Sequence, residues 1–145
     1  MNVLFDSSCL VALLVRDHPF YDRAARGYLE FIDDENTNYI STHTLSEVYR
    51  TITSGKSYLN FSHQKAHLII QKTVLQYFNL VDLNTEDYIH VLDRMKSLKL
   101  KGAIIYDALI SHAAFKVNAL RLVTFNEKDF RKVAPENGAE LVVPL

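Results

Sequence analysis

The 145-residue sequence predicts an α/β fold: one domain in which a mostly parallel sheet of about five strands is flanked by helices. Three observations carry this. Short apolar runs bounded by capping or turn residues alternate with longer segments of helical periodicity along the whole chain. Helices between successive strands supply the right-handed crossovers of a parallel sheet and cover both its faces. The composition, 48% hydrophobic and 23% charged with four Gly and three Pro, supplies one core and excludes disorder and collagen-like repeats.

The elements follow in order. Asn2–Phe5 is an apolar strand, and Asp6-Ser7-Ser8 caps a short helix reaching about Val15, before the break at Asp17-His18-Pro19. From Pro19, the residues Tyr21, Ala24, Ala25, Tyr28, Phe31 and Ile32 recur at helical spacing, and Asn36-Thr37-Asn38 ends that helix. Tyr39-Ile40 is a strand, and Ser41-Thr42 caps a helix to about Thr53. Ser62 to Phe78 reads as one helix with Ala66, Ile70, Val74 and Tyr77 on one face. Asn79–Leu83 is a strand, and Asn84-Thr85 caps a helix carrying Tyr88, Val91, Leu92, Met95 and Leu98. After Gly102 comes a mostly apolar helix, Ala103 to Phe115. Arg121–Thr124 is a strand, Asn126 opens a short helix, and Leu141–Val143 is a last strand.

Bulk properties narrow the function. A single cysteine, Cys9, permits no intramolecular disulfide and excludes a CxxC-type zinc site, which favours a reducing compartment. The net charge of −1 pulls toward neither nucleic acid nor an anionic membrane, so handling a polyanion requires local charges or bound metal. No basic stretch precedes an apolar one at the start, and the apolar run Cys9–Val15 is far short of the ~20 residues that cross a bilayer. A soluble, cytoplasmic protein without a membrane partner is expected.

In parallel sheets, ligands bind outside the carboxyl ends of the strands. Four acids stand at the starts of elements there: Asp6 after the first strand, Glu47 in the helix after Tyr39-Ile40, Asp107 after Gly102, and Asp129 after Arg121–Thr124. Clustered carboxylates repel, and burying them unpaired is costly, so a hard divalent cation such as Mg²⁺ or Mn²⁺ is the natural partner. Each acid also has a structural reading. Asp6 serves as an N-cap, Thr44-Leu45-Ser46-Glu47 matches a capping box, and Asp129 suits a helix dipole. Asp107 resists such a reading, being the only charge between Ala103 and Phe115.

The pieces Val3-Leu4-Phe5-Asp6-Ser7-Ser8, Ser46-Glu47-Val48, Gly102 to Ile110 and Leu122 to Phe130, with Gly138-Ala139-Glu140-Leu141, resemble the PIN-domain ribonucleases, particularly the VapC-type toxins of prokaryotic toxin–antitoxin pairs. The resemblance runs from end to end and implies a PIN-like α/β/α sandwich over residues 1–145. It implies that Asp6, Glu47, Asp107 and Asp129 are the catalytic quartet binding Mg²⁺ or Mn²⁺, with Thr124 and Asn126 as polar positions beside that site; Ser7 and Ser8 are candidate hydroxyl or backbone donors to a phosphate oxygen of the substrate. Some members place the last acid nearer the strand, where this chain has Asn126, so direct, water-mediated and orienting roles for Asp129 all stand. The implied substrate is RNA and the implied partners are a cognate antitoxin and a second copy in a homodimer. The chemistry is hydrolysis of phosphodiesters, because a carboxylate-held metal lowers the pKa of water for in-line attack on phosphorus.

Two other classes compete. One is a catalytically silent PIN-fold domain that binds RNA or protein. The other is phosphotransfer through Asp6, but haloacid-dehalogenase chemistry wants a second Asp where Ser8 stands, and no receiver-like pairing of acids occurs. The basic runs Arg94, Lys96, Lys99, Lys101 and Lys128, Arg131, Lys132 read as phosphate-tracking patches or as solvated helix faces. His63 and His67, four apart without an HExxH context, read as surface histidines, while His43 and His112 lie near Glu47 and Asp107 in sequence. The apolar residues of the first two helices exceed one core stripe and suggest a groove for a partner.

Overall fold

A computed structural model describes residues 1–33 and 35–145. Five strands, β1 (Asn2–Phe5), β2 (Thr37–Ser41), β3 (Asn79–Val81), β4 (Arg121–Val123) and β5 (Glu140–Val142), form one all-parallel sheet in the order β3-β2-β1-β4-β5. β1 is central: Leu4 stands level with Tyr39 of β2 on one side and Leu122 of β4 on the other. Successive side chains of a strand point to opposite faces. Val3 and Phe5 therefore join one core with Ile40 and Val123, while Leu4 joins another with Val81 and Leu122.

Helices close both cores. α1 (Ser7–Leu14), α2 (Tyr21–Leu29), α3 (Thr42–Ile52) and α4 (His63–Ile69) cover the first face, where Phe5 packs edge-on against Tyr28, Phe31 and Phe78. A π-helical stretch, Ile70–Val74, continues α4 into the single turn α5 (Leu75–Tyr77). α6 (Thr85–Leu98), α7 (Ile104–Lys116) and α8 (Glu127–Lys132) pack on the other face. This is the α/β/α sandwich expected. Among the described residues, no helix is long and apolar enough to cross a membrane.

Several boundaries differ from expectation, each for a local reason. The second helix stops at Leu29 rather than near Asn36, because Thr37 and Asn38 pair with Asn2 and Val3 and so belong to β2. Asn38 is also held by a bond from its side-chain amide to the Phe31 carbonyl at 3.1 Å. The helix expected over Ser62–Phe78 is interrupted by the π turn, which changes the facing of its residues: Ala66 and Val74 are buried, but Tyr77 is exposed. On α6 only Val91 and Met95 are buried, so Tyr88, Leu92 and Leu98 lie outside the core expected of them. Gly102, with φ +84°, makes the left-handed turn that starts α7 after Lys99 has ended α6 in the same region.

Strand order places the site. From β1 the chain steps to β2 and β3 on one side, then crosses back to β4 and β5 on the other. The crevice left where the order reverses lies at the carboxyl ends of β1 and β4. Asp6 and Thr124 are the residues that follow those two strands.

Candidate active site

Asp6 is 3% exposed and caps α1. Its Oδ1 accepts from the Ser7 backbone N–H at 2.7 Å and the Ser7 hydroxyl at 3.2 Å. Its Oδ2 accepts from Ser8 Oγ at 2.7 Å and Thr124 Oγ1 at 2.9 Å. Ser8 Oγ in turn accepts from the Phe125 N–H at 3.0 Å, and Thr124 Oγ1 from the Asn126 N–H at 2.9 Å. The carboxylate is thus fixed by donors from both strand ends. The capping and site readings of Asp6 coexist.

Glu47 lies in the second turn of α3, whose N-cap is Ser41, accepting from the His43 N–H at 3.1 Å. The capping-box reading of Thr44 and Glu47 is therefore excluded, and the Glu47 side chain is free to face the crevice. Burial, reinforced by the charges of Asp6 and Asp107, raises its pKa from 4.5 to about 7, with Arg50 opposing. Asp107, in the first turn of α7, is raised from 3.8 to about 7 by burial and by Asp6 and Asp129, with Lys132 opposing. These mutual effects place the acids within electrostatic reach of one another.

Asp6, Glu47 and Asp107 line one cleft of about 390 Å³ together with Ser7, Ser8 and Asn126. Its walls include Val11, His18, Phe20, Thr51, Leu59 and Phe125. Asp129 does not line this cleft; it stands at the side of Asp107, 3.4 Å from Lys132 Nζ. Thr124 is wholly buried beneath Asp6. Two members of the basic runs are engaged away from the cleft: Arg94 donates to the Val133 and Ala134 carbonyls, and Arg131 pairs with Glu127 at 2.6 Å.

Sequence reasoning missed two contributors, Tyr106 and Arg23, and singled out His43 through its nearness to Glu47. His43 stacks on Tyr106 with ring centroids 5.2 Å apart and its Nε2 is 3.5 Å from Glu47 Oε1. Arg23 lies over Phe20 and Phe125, at 4.6 and 5.1 Å, bringing a cation to the cleft rim. Only the i,i+4 spacing of His43 and Glu47 signalled any of this in advance.

Solved structures share this fold. One is VapBC2 from Rickettsia felis bound to a DNA fragment from its promoter, at TM-score 0.68 and 21% identity over 99% of this chain and 98% of that one. Another is VapC20 from Mycobacterium tuberculosis, described as a Sarcin-Ricin loop cleaving toxin, at TM-score 0.72 and 12% identity over 89% and 93%. A toxin–antitoxin complex from Klebsiella pneumoniae aligns at TM-score 0.64 and 26% identity over 99% and 98%. No curated protein matches the sequence significantly. Residues 3–135 match the PIN domain family, and with an acid-lined crevice at the reversal of an all-parallel sheet, the chain belongs to that family.

Proposed function

We propose that this protein is a Mg²⁺- or Mn²⁺-dependent endoribonuclease, the cytoplasmic toxin of a toxin–antitoxin pair. The observation that carries the reading is the convergence of Asp6, Glu47 and Asp107 in one cleft, two of them raised to about 7 by burial and mutual charge. Among the described residues, no lysine or arginine forms an ion pair with any of the three. Glu47 Oε1 is also buried without a hydrogen-bond partner. An all-oxygen, like-charged donor set with an orphan acceptor fits a hard divalent cation.

Asp6, Glu47 and Asp107 would hold the ion, with Asp129 acting from the side of Asp107. When bound, the ion neutralises the carboxylates, polarises the scissile phosphate and makes water acidic enough to supply a nucleophile. The protein's own part is positioning. Ser8 and Thr124 lock the Asp6 carboxylate in one orientation through 2.7 and 2.9 Å bonds. Thr124, being buried, orients Asp6 rather than touching RNA. Asn126 lines the cleft where a phosphate would sit, and Arg23, over Phe125 at the rim, would supply positive charge to the RNA backbone.

The RNA substrate is supported by VapC20, a structural relative described as cleaving the Sarcin-Ricin loop. The antitoxin is supported by the toxin–antitoxin complexes among the structural relatives. An apolar hollow lined by Leu13, Tyr28, Ile32, Tyr77 and Phe78 suits such a helix or the homodimer contact. The test is RNA cleavage by antitoxin-free protein with Mg²⁺, Mn²⁺ or chelator, using Asp6→Asn and Asp107→Asn. Cleavage that needs the cation and falls by at least about 100-fold in both folded variants is expected. RNA binding without any cleavage would assign the silent-domain alternative, and equal cleavage by all three proteins would mark a contaminant.

A further inference from the structure

Away from the cleft, three side chains from separate segments meet beside α6 and α7. His90 lies on α6, His112 on α7 and Glu136 in the segment between α8 and β5, and one ligand atom of each lies within 4.8 Å of the other two. His90 Nε2 stands 2.7 Å from Glu136 Oε1, and the His90 and His112 ring centroids are 5.0 Å apart. None of these residues touches the acidic cleft.

His112 supplies the independent observation. It is 6% exposed, and its Nε2 is 2.8 Å from Asp87 Oδ1. Asp87 also accepts from the Asn84 N–H at 2.8 Å and from Lys116 Nζ at 2.7 Å, so it is a carboxylate and Nε2 is the ring's donor. The other nitrogen, Nδ1, is buried with no hydrogen-bond partner among the described residues. In the Nε2–H tautomer that nitrogen is a desolvated lone pair facing no donor, an expensive arrangement unless a cation meets it. A histidine fixed by a carboxylate through one nitrogen, with the other free, is the arrangement that orients metal-ligating histidines.

We propose that His90, His112 and Glu136 form a second metal site, for zinc or a similar borderline transition-metal ion, distinct from the acidic cleft. Two imidazoles and one carboxylate select such an ion over magnesium, and three protein ligands leave a fourth position for water. Tetrahedral bonds of about 2.0 Å set ligand atoms about 3.3 Å apart. His90 and Glu136, with side chains 47% and 36% exposed, have the freedom to close to that spacing around the anchored His112. Arg94 keeps the Glu136 segment in place by bonding the Val133 and Ala134 carbonyls, and its Nε lies 3.9 Å from Glu136 Oε1. Bound metal would tie α6, α7 and the segment before β5 together.

The test titrates the full chain with zinc in excess magnesium, which occupies the acidic cleft, and repeats it with Co²⁺ as a spectroscopic probe. One zinc per chain is expected, with visible cobalt bands of tetrahedral nitrogen–oxygen ligation and a higher Tm. Binding should weaken by at least about 10-fold in His90→Ala and Glu136→Gln, whose residues are exposed enough to change without unfolding the protein, and by about 10–100-fold in Asp87→Asn. Asp6→Asn should bind zinc as the wild type does. Absence of zinc binding in the wild type, unchanged binding in His90→Ala, or loss of binding in His63→Ala/His67→Ala instead would overturn the proposal.

Discussion

Thr124 Oγ1 donates to Asp6 Oδ2 at 2.9 Å and accepts from the Asn126 N–H at 2.9 Å, so one buried hydroxyl joins the ends of two neighbouring strands. Thr124→Val preserves shape but deletes both bonds. It should lower stability by about 1–3 kcal/mol through the unsatisfied Asn126 N–H, and cleavage by about 10–100-fold through a loosened Asp6. Thr124→Ser, which keeps the hydroxyl, should recover most of both. Urea denaturation and initial cleavage rates measure the two effects separately.

The raised pKa values of Glu47 and Asp107 give the metal-free protein a pH signature. Below about pH 3 both acids are largely protonated whether the chain is folded or not, and contribute nothing. Between their ordinary values of 4.5 and 3.8 and the folded value of about 7, the unfolded chain releases protons that the folded chain keeps. Stability should therefore fall as pH rises through this window, and level off above it. Thermal melts with chelator should show the decline. Asp107→Asn should raise Tm at pH 8 by roughly 3 °C, about 1 kcal/mol once solvent screening is allowed for. Saturating magnesium should flatten the profile, and its affinity should drop as the acids protonate.

Tyr106 stacked on His43 ties α7 to α3 at the turn where Asp107 and Glu47 emerge. Tyr106→Ala should cost about 0.5–1.5 kcal/mol of stability. Because the two acids lose their spacer, magnesium affinity should also fall by about 10-fold, whereas Tyr106→Phe should leave it unchanged. Calorimetric titration of the three proteins distinguishes these outcomes.

Gly27 sits against Pro144, where an added Cβ would come within 2.8 Å of the proline Cβ and 2.9 Å of its Cγ. Arg23 holds the same segment by donating to the Pro144 carbonyl from Nε at 3.0 Å and Nη2 at 2.8 Å. Gly27→Ala must displace the segment, and a loss of about 1–3 kcal/mol is expected in denaturant melts despite the better helix propensity of alanine.

Much of this architecture was legible because local rules and tertiary packing agree. Asp6, Ser41 and Asn84 cap the helices they were expected to cap, and Asn2–Phe5 is the strand its apolar run predicts. Boundaries failed where a partner strand overrode helix periodicity, as at Thr37-Asn38, or where a π turn rotated a face, as at Tyr77. Asp6, Glu47 and Asp107 could be singled out because each follows a capping or turn signal at the ligand-binding edge of the sheet. The stacking of Tyr106 on His43, and the meeting of His90, His112 and Glu136, depend on helix–helix approach and leave no spacing pattern in the chain.

The strand order also has a consequence for synthesis. Asp6 is made early relative to its partners: the β4 strand that seats against β1 and delivers Thr124 and Asn126 follows it, Thr124 lying 118 residues further along the chain. A nascent polypeptide therefore carries Asp6 long before it carries the hydroxyl that aims it. The Asp6 carboxylate gains its fixed aim only once β4 has been made and has paired with β1.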